Sequence, residues 1–174
     1  MFPKLLIVLG SLLLLFGSHL VVERYSPRKL EFKNLNVQNS AVSQQIPVRI
    51  VIPTLGIETQ IYAAKINNGV WESTTKGISF LSSTPVPGNQ GNSVLYGHNW
   101  SNLLGSLTKI KPGDKIEITL SSGEIRIFNV EYTSVVDPSQ AHILNQTKDN
   151  RITIYTCMGF LDSKRFVATA ILVN

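Results

Sequence analysis

The chain has 174 residues, 43% of them hydrophobic, with one cysteine and 16 Lys/Arg against 11 Asp/Glu; this is room for one ordinary domain plus a targeting segment and excludes two full domains. The net charge of +5 is uneven, because residues 1–45 carry five basic against two acidic side chains and residues 46–174 carry 11 against 9. A folded part so nearly balanced, without a basic stripe, argues against a nucleic-acid surface.

Residues 5–22 form an apolar run broken only by Gly10, Ser11, Gly17, Ser18 and His19. Its length is at the short end for a membrane-spanning helix. Lys4 would also suit the basic start of a cleaved signal peptide. However, no small-x-small site follows, and Phe16 and His19-Leu20-Val21-Val22 fit cleavage poorly. An uncleaved anchor over residues 1–22 is therefore expected, with His19 near the interface. Lys4 and the terminal amine precede the run, while Arg24, Arg28 and Lys29 follow it. Counting these flanks slightly favours a cytoplasmic C-terminal domain, yet a lone N-terminal apolar run is also what an export signal looks like. The local basic surplus suits anionic headgroups or wall polymer. Residues 23–45, rich in Asn, Gln and Ser without a sustained period, read as a polar linker.

The remainder, residues 46–174, predicts an all-β domain. Residues 48–52 alternate and stop at Pro53, and residues 57–63 resume after Gly56. Residues 115–120 alternate, Ser121-Ser122-Gly123-Glu124 turns, and residues 125–132 alternate back as a hairpin. Residues 93–96, 151–156 and 166–173 supply further strands. Short helical turns are expected over residues 101–107, capped by Asn99 or Ser101, and over residues 138–144. Many short strands punctuated by Gly and Pro imply a sandwich or barrel, and closure into a barrel removes exposed edges.

Cys157 follows a strand of β-branched residues and precedes the Met158-Gly159 interruption. A lone thiol in an exported domain is either buried and inert or kept for its reactivity. His98 ends another strand behind Gly97 and is preferred as partner over His142, which lies in a Pro- and Gln-containing loop. Arg165 starts the last strand. If that strand returns antiparallel beside the one bearing Cys157, its guanidinium comes back to the thiol and can donate to an oxyanion. Arg151, at the far end of its strand, is the weaker candidate. A nearby imidazolium and guanidinium favour the reactive thiolate, and the histidine can shuttle a proton between amines. No carboxylate clearly completes a triad; Asn99, Asp137 and Asp162 are the candidates. Trp71, Trp100 and residues 158–164 are candidates to border the cleft.

Four stretches together resemble the sortase family. P-G-N-Q-G-N-S-V-L-Y-G-H ends on His98, and L-T-K-I-K-P-G-D-K-I-E-I begins at Leu107. I-T-I-Y-T-C ends on Cys157 and is similar to a T-L-x-T-C signature, with Ile154 where Leu is usual. K-R-F-V-A-T-A begins at Lys164 and matches an arginine-led final strand. The short Cys-to-Arg connection and Asn99-Trp100 after the histidine depart from the pattern and leave the subfamily open. The resemblance implies a closed β-barrel with a few short helices, preceded by one transmembrane helix. It implies a single-pass protein of the cell membrane whose catalytic domain is extracellular. It implies Cys157, His98 and Arg165 as catalytic residues, with Thr156 supporting substrate contacts or the oxyanion. The implied reaction cleaves an LPxTG-like sorting signal of surface proteins after Thr. The acyl group then passes through a thioester to an amine such as a cell-wall precursor or a pilin lysine. No cofactor is implied; some sortases use calcium, but the sequence has no supporting carboxylate cluster.

Two other enzyme classes fit less well. Papain-like wall hydrolases place Cys before His, the reverse of this order, and L,D-transpeptidases carry a dense His-Gly…Cys cluster that is absent. The non-enzymatic alternative is an anchored β-domain that binds wall polymer or peptide, with an inert Cys157 that a thiol reagent would not label.

Overall fold

The computed structural model describes residues 2–24, 26, 30–33 and 45–173. Helix α1 (Phe2–Arg24) is exposed over residues 4–19, with a 20-residue apolar stretch, Lys4–Glu23, long enough to cross a membrane. At about 1.5 Å per residue its 23 residues match the ~30 Å hydrocarbon layer. The Ser11 and Ser18 hydroxyls donate to the carbonyls of Val8 and Leu15, so neither presents an unsatisfied donor.

Ten strands follow among the described residues: β1 (Pro47–Ile52), β2 (Ile57–Ala64), β3 (Ile66–Asn67), β4 (Val70–Trp71) and β5 (Ile78–Leu81), then β6 (Gly91–Gly97), β7 (Lys115–Leu120), β8 (Ile125–Val136), β9 (Asn150–Met158) and β10 (Lys164–Leu172). Eight of them close into a barrel in the order β1-β2-β5-β6-β9-β10-β8-β7, and β3 and β4 form a separate ribbon. The pairings β2–β5 and β6–β9 are parallel; the other barrel pairings are antiparallel. The expected all-β closed barrel behind one apolar N-terminal helix is thus the observed architecture, and the 115–120/125–132 hairpin is present as β7–β8.

Strand alternation sorts the apolar side chains into two compartments. Ile50, Ile52, Phe80, Leu95, Ile118, Phe128, Ile152, Ile154 and Ala168 fill the barrel. The opposite faces of β6, β9 and β10 put Val94, Tyr96, Tyr155, Cys157 and Val167 into a second, outer cluster. Trp71 of β4 and Leu144 of the 3-10 turn Ala141–Leu144 belong to the same cluster.

Three expectations need correction. Residues 101–106 form turns instead of a helix, and the 3-10 helix is displaced to Leu107–Lys109. The amides of Leu103 and Gly105 both donate to Trp100 O, and that of Leu104 to His98 O, so the i→i−4 ladder never starts. A Cβ at Gly105 would lie 2.7 Å from that Trp100 oxygen, so only glycine fits the coil. Strand β8 runs on to Val136, where alternation fades in sequence, because β10 pairs with it as far as Arg165↔Val136.

The third correction concerns the linker. Most of residues 23–45 lie outside the described residues, but residues 30–33 are docked on the outer cluster. Leu30 is fully buried, Phe32 packs edge-on against Tyr155 at 5.0 Å, and the Lys33 amide donates to Pro138 O. The packed part of the chain therefore begins before residue 46. Leu30→Ala should lower the stability of the domain by about 2–4 kcal/mol in denaturant titration, whereas a true linker position would change it by less than about 0.5 kcal/mol.

Candidate active site

The site is assembled by strand register. On the parallel side of β9, Gly97 pairs with Thr156, so the next position along β6 brings His98 opposite Cys157. On the antiparallel side, Arg165 pairs directly with Cys157. With strands about 4.8 Å apart, residues 98, 157 and 165 form a row across neighbouring strands. Period-two alternation turns all three toward the outer cluster, in step with Tyr96, Tyr155 and Val167. His98, Cys157 and Arg165 are each 3% exposed.

Gly97 makes the approach at the His98 end possible. A Cβ there would meet Ile78 at 3.0 Å and Leu104 at 3.2 Å. The Thr156 hydroxyl donates to Gly97 O at 2.8 Å, tying the ends of β6 and β9 together. Thr156 itself is fully buried with its hydroxyl so engaged. The Trp100 ring stacks on His98 at 4.6 Å and 12°. Burial pushes the His98 imidazole below its usual range, and the Asp162 carboxylate opposes that by favouring the charged form. His98 Nε2 is buried and has no partner among the described residues.

Arg165 donates through Nη1 to the carbonyls of Asp162 and Lys164, both at 3.0 Å, and through Nη2 to Glu31 O at 3.2 Å. Its Nε, also buried, has no partner among the described residues. The Tyr155 hydroxyl donates to Leu30 O at 2.9 Å, and the Trp71 amide to the Glu31 carboxylate at 3.4 Å. The docked 30–33 segment therefore lies against the arginine end of the row. Sequence reading missed it: the only signal was Leu30-x-Phe32, an apolar alternation too short to stand out in a polar stretch.

The competing residues fall elsewhere. His142 is exposed on the turn Ala141–Leu144. Arg151 is at the opposite end of β9 and is engaged by Asp149, whose carboxyl it holds down to about 2. Asp137 is exposed and paired with Lys164 at 2.8 Å. Asn99 Nδ2 donates to Asp162 Oδ1 at 3.2 Å, so two of the candidate third groups meet each other beside the row. Trp71 is buried against Tyr96 and Tyr155, whereas Phe160, at 85% exposure, and Leu161 project from the β9–β10 turn. Among the described residues no group of three or more His, Cys, Asp or Glu is placed to hold a metal ion.

Fold and row together define a β-barrel protein built around one cysteine held between an imidazole and a guanidinium. The chain belongs to the sortase family: the Sortase domain model matches residues 50–173. Sortases are cysteine transpeptidases that act on surface proteins. Sortase A of Listeria monocytogenes serovar 1/2a is 36% identical over 96 residues, which is 53% of this chain and 42% of that protein. The match thus spans less than half the length of that relative. The crystal structure of Listeria monocytogenes sortase A has a TM-score of 0.60 at 28% identity, covering 74% of this chain and 88% of that one. A lid mutant of sortase A from Corynebacterium diphtheriae gives 0.64 at 25%, covering 91% and 93%. A Clostridium perfringens sortase D5 transpeptidase gives 0.63 at 25%, covering 80% and 83%.

Burial of His98 has a measurable consequence for stability. Its folded-state pKa lies below 6.5, so between the two values the unfolded chain binds more protons than the folded one. Stability then rises with pH through that window. His98 contributes no penalty above about pH 6.5 and destabilises as the pH falls below it. His98→Gln should flatten this slope in denaturant titrations between pH 5 and 7; an unchanged slope would assign it to other groups.

Proposed function

We propose that this protein is a membrane-anchored sortase transpeptidase in which Cys157 is the nucleophile, His98 the proton shuttle and Arg165 the oxyanion and substrate donor. The observation that carries the reading is the register that puts Cys157 between His98 and Arg165. The substrate is a sorting-signal peptide of a surface protein, LPxTG-like, cut after Thr. The acceptor is an amine of a cell-wall precursor or a pilin lysine.

The Cys157 thiolate attacks the Thr carbonyl carbon, and Arg165 stabilises the oxyanion. As the C–N bond breaks, the His98 imidazolium protonates the departing amine, leaving a thioester on Cys157. The acceptor amine then attacks that thioester while neutral His98 takes its proton, and Sγ leaves as thiolate. Because burial favours neutral His98 in the free protein, the imidazolium form is a fraction of the population at neutral pH.

Residues 1–22 serve as the anchor and the barrel as the catalytic domain on the outer face. The residues between them join the two, with residues 30–33 belonging to the folded part. The helix over residues 4–23, long and apolar enough to cross a membrane, supports the anchor. The burial of Cys157 favours a second reading, an anchored binding module with an inert thiol.

Full-length chain in detergent micelles, incubated with a library of LPxTG-like peptides and an amine, should give a Thr-linked amide by mass spectrometry. Cys157→Ala should abolish the product, and His98→Ala or Arg165→Ala should lower kcat/KM by about 10²–10⁴-fold. Failure of every peptide, together with resistance of Cys157 to alkylation, would favour the binding module.

A further inference from the structure

Asp162 takes no part in the reaction just described, yet it touches both halves of the site. Its Oδ1 accepts from Asn99 Nδ2 at 3.2 Å, one residue beyond His98, and its backbone carbonyl accepts from Arg165 Nη1 at 3.0 Å. It closes the turn Phe160–Asp162 between β9 and β10. The backbone there is strained: Leu161 and Asp162 have φ of 51° and 59°, two successive side chains in the left-handed region. Such a conformation persists when surrounding contacts over-determine it. Here those contacts bring the one side chain of the turn that carries charge toward the end of β6.

The groups around His98 show what this carboxylate adds. The loop after β6 supplies Asn99 and the stacked Trp100, neither of them titratable near neutral pH. Strand β9 supplies the Cys157 thiol and β10 the Arg165 guanidinium. The docked 30–33 segment brings Glu31, but its carboxylate turns to the Trp71 amide. Asp162 is the acid that acts on His98, and it does so from the turn that also holds Arg165.

We propose that Asp162 is a positioning residue: its carboxylate and backbone carbonyl fix the His98 end of β6 and the Arg165 guanidinium on either side of Cys157. The carboxylate's negative charge also favours the imidazolium. This rests on the reading of His98, Cys157 and Arg165 as the reacting groups. Asp162 itself touches neither substrate nor the reacting atoms.

The test uses the full chain in detergent micelles. The variants are Asp162→Asn, which keeps an acceptor and removes the charge, and Asn99→Ala, which breaks the bond and keeps the charge. The His98 ring protons are followed by NMR across pH, with peptide transfer assayed in parallel. Asp162→Asn should move the His98 titration to lower pH and lower kcat/KM at pH 7 about three- to tenfold, with kcat falling more than KM rises. Asn99→Ala should lower kcat while displacing the titration less. Circular dichroism and thermal melts will show that both variants keep the fold, which the near-isosteric Asn is chosen to do. A His98 titration unmoved by Asp162→Asn, or an unchanged kcat/KM, overturns the proposal. If the unaltered chain transfers no peptide while the His98 titration still moves in Asp162→Asn, the acyl-transfer reading fails and the electrostatic link stands.

Discussion

Strand β9 is held on both edges, parallel to β6 and antiparallel to β10, and its alternate residues enter different compartments. Ile152 and Ile154 fill the barrel; Thr153, Tyr155 and Cys157 face outward under the loops. A slip of one residue would drive Tyr155 and Cys157 into the barrel and expel the isoleucines. Side-chain bonds guard against that slip at both ends. The Thr153 hydroxyl donates to Asn92 Oδ1 at 2.8 Å near the start, and the Thr156 hydroxyl to Gly97 O near the finish. Asn92 in turn donates to the carbonyls of Ile143 and Asn145, so the loop leading into β9 is tied to the same register. The row of thiol, imidazole and guanidinium is a consequence of this pairing, because neither partner reaches Cys157 from within its own strand.

Arg165 is a buried cation whose partners are carbonyls. Removing a guanidinium from water costs several kcal/mol unless polar groups replace the solvent. Asp162, Lys164 and Glu31 supply three backbone oxygens that do so. Dipoles of this kind stabilise the guanidinium without cancelling its charge, as a directly paired carboxylate would. The positive field therefore remains available to the neighbouring sulfur and to charge developing on a substrate oxygen. The same three bonds join separate pieces of chain: the turn after β9, the start of β10 and the docked segment near the anchor.

Residues 115–120 were legible in sequence because burial on one face writes a period of two, and residues 151–156 because isoleucine recurs at every second position among Arg, Thr and Tyr. The residues proposed for the site stood out in sequence because each ends or begins a strand. Strand β5, four buried residues in a row, carries no alternation and was missed for that reason. The turns after His98 look helical in composition, yet their amides fold back on Trp100 and His98, a tertiary choice no local pattern encodes. Leu30 and Phe32 were read as linker because two apolar residues in a polar run acquire meaning only when Tyr155 and Arg165, far along the chain, are known to meet them. The Asn99–Asp162 bond was hidden likewise: both residues were candidates for a third catalytic group, and sequence offers no way to see that they bind each other.

Burial acts on this site in two opposing ways. It keeps His98 toward the neutral form and excludes water from the thiol, which by itself makes the ion pair less populated. It also leaves His98 Nε2 and Arg165 Nε enclosed without partners among the described residues. A buried donor lacking an acceptor costs about 1–3 kcal/mol. A peptide whose carbonyl and amide reach these atoms would remove that penalty as it binds. On the proposed mechanism oxygen charge would grow as the thiolate adds to the carbonyl, and hydrogen bonds to an ionised acceptor are roughly twice as strong as neutral ones. The gain is therefore larger at the tetrahedral stage than in the initial complex, which is the condition for binding energy to accelerate a reaction instead of only tightening a complex.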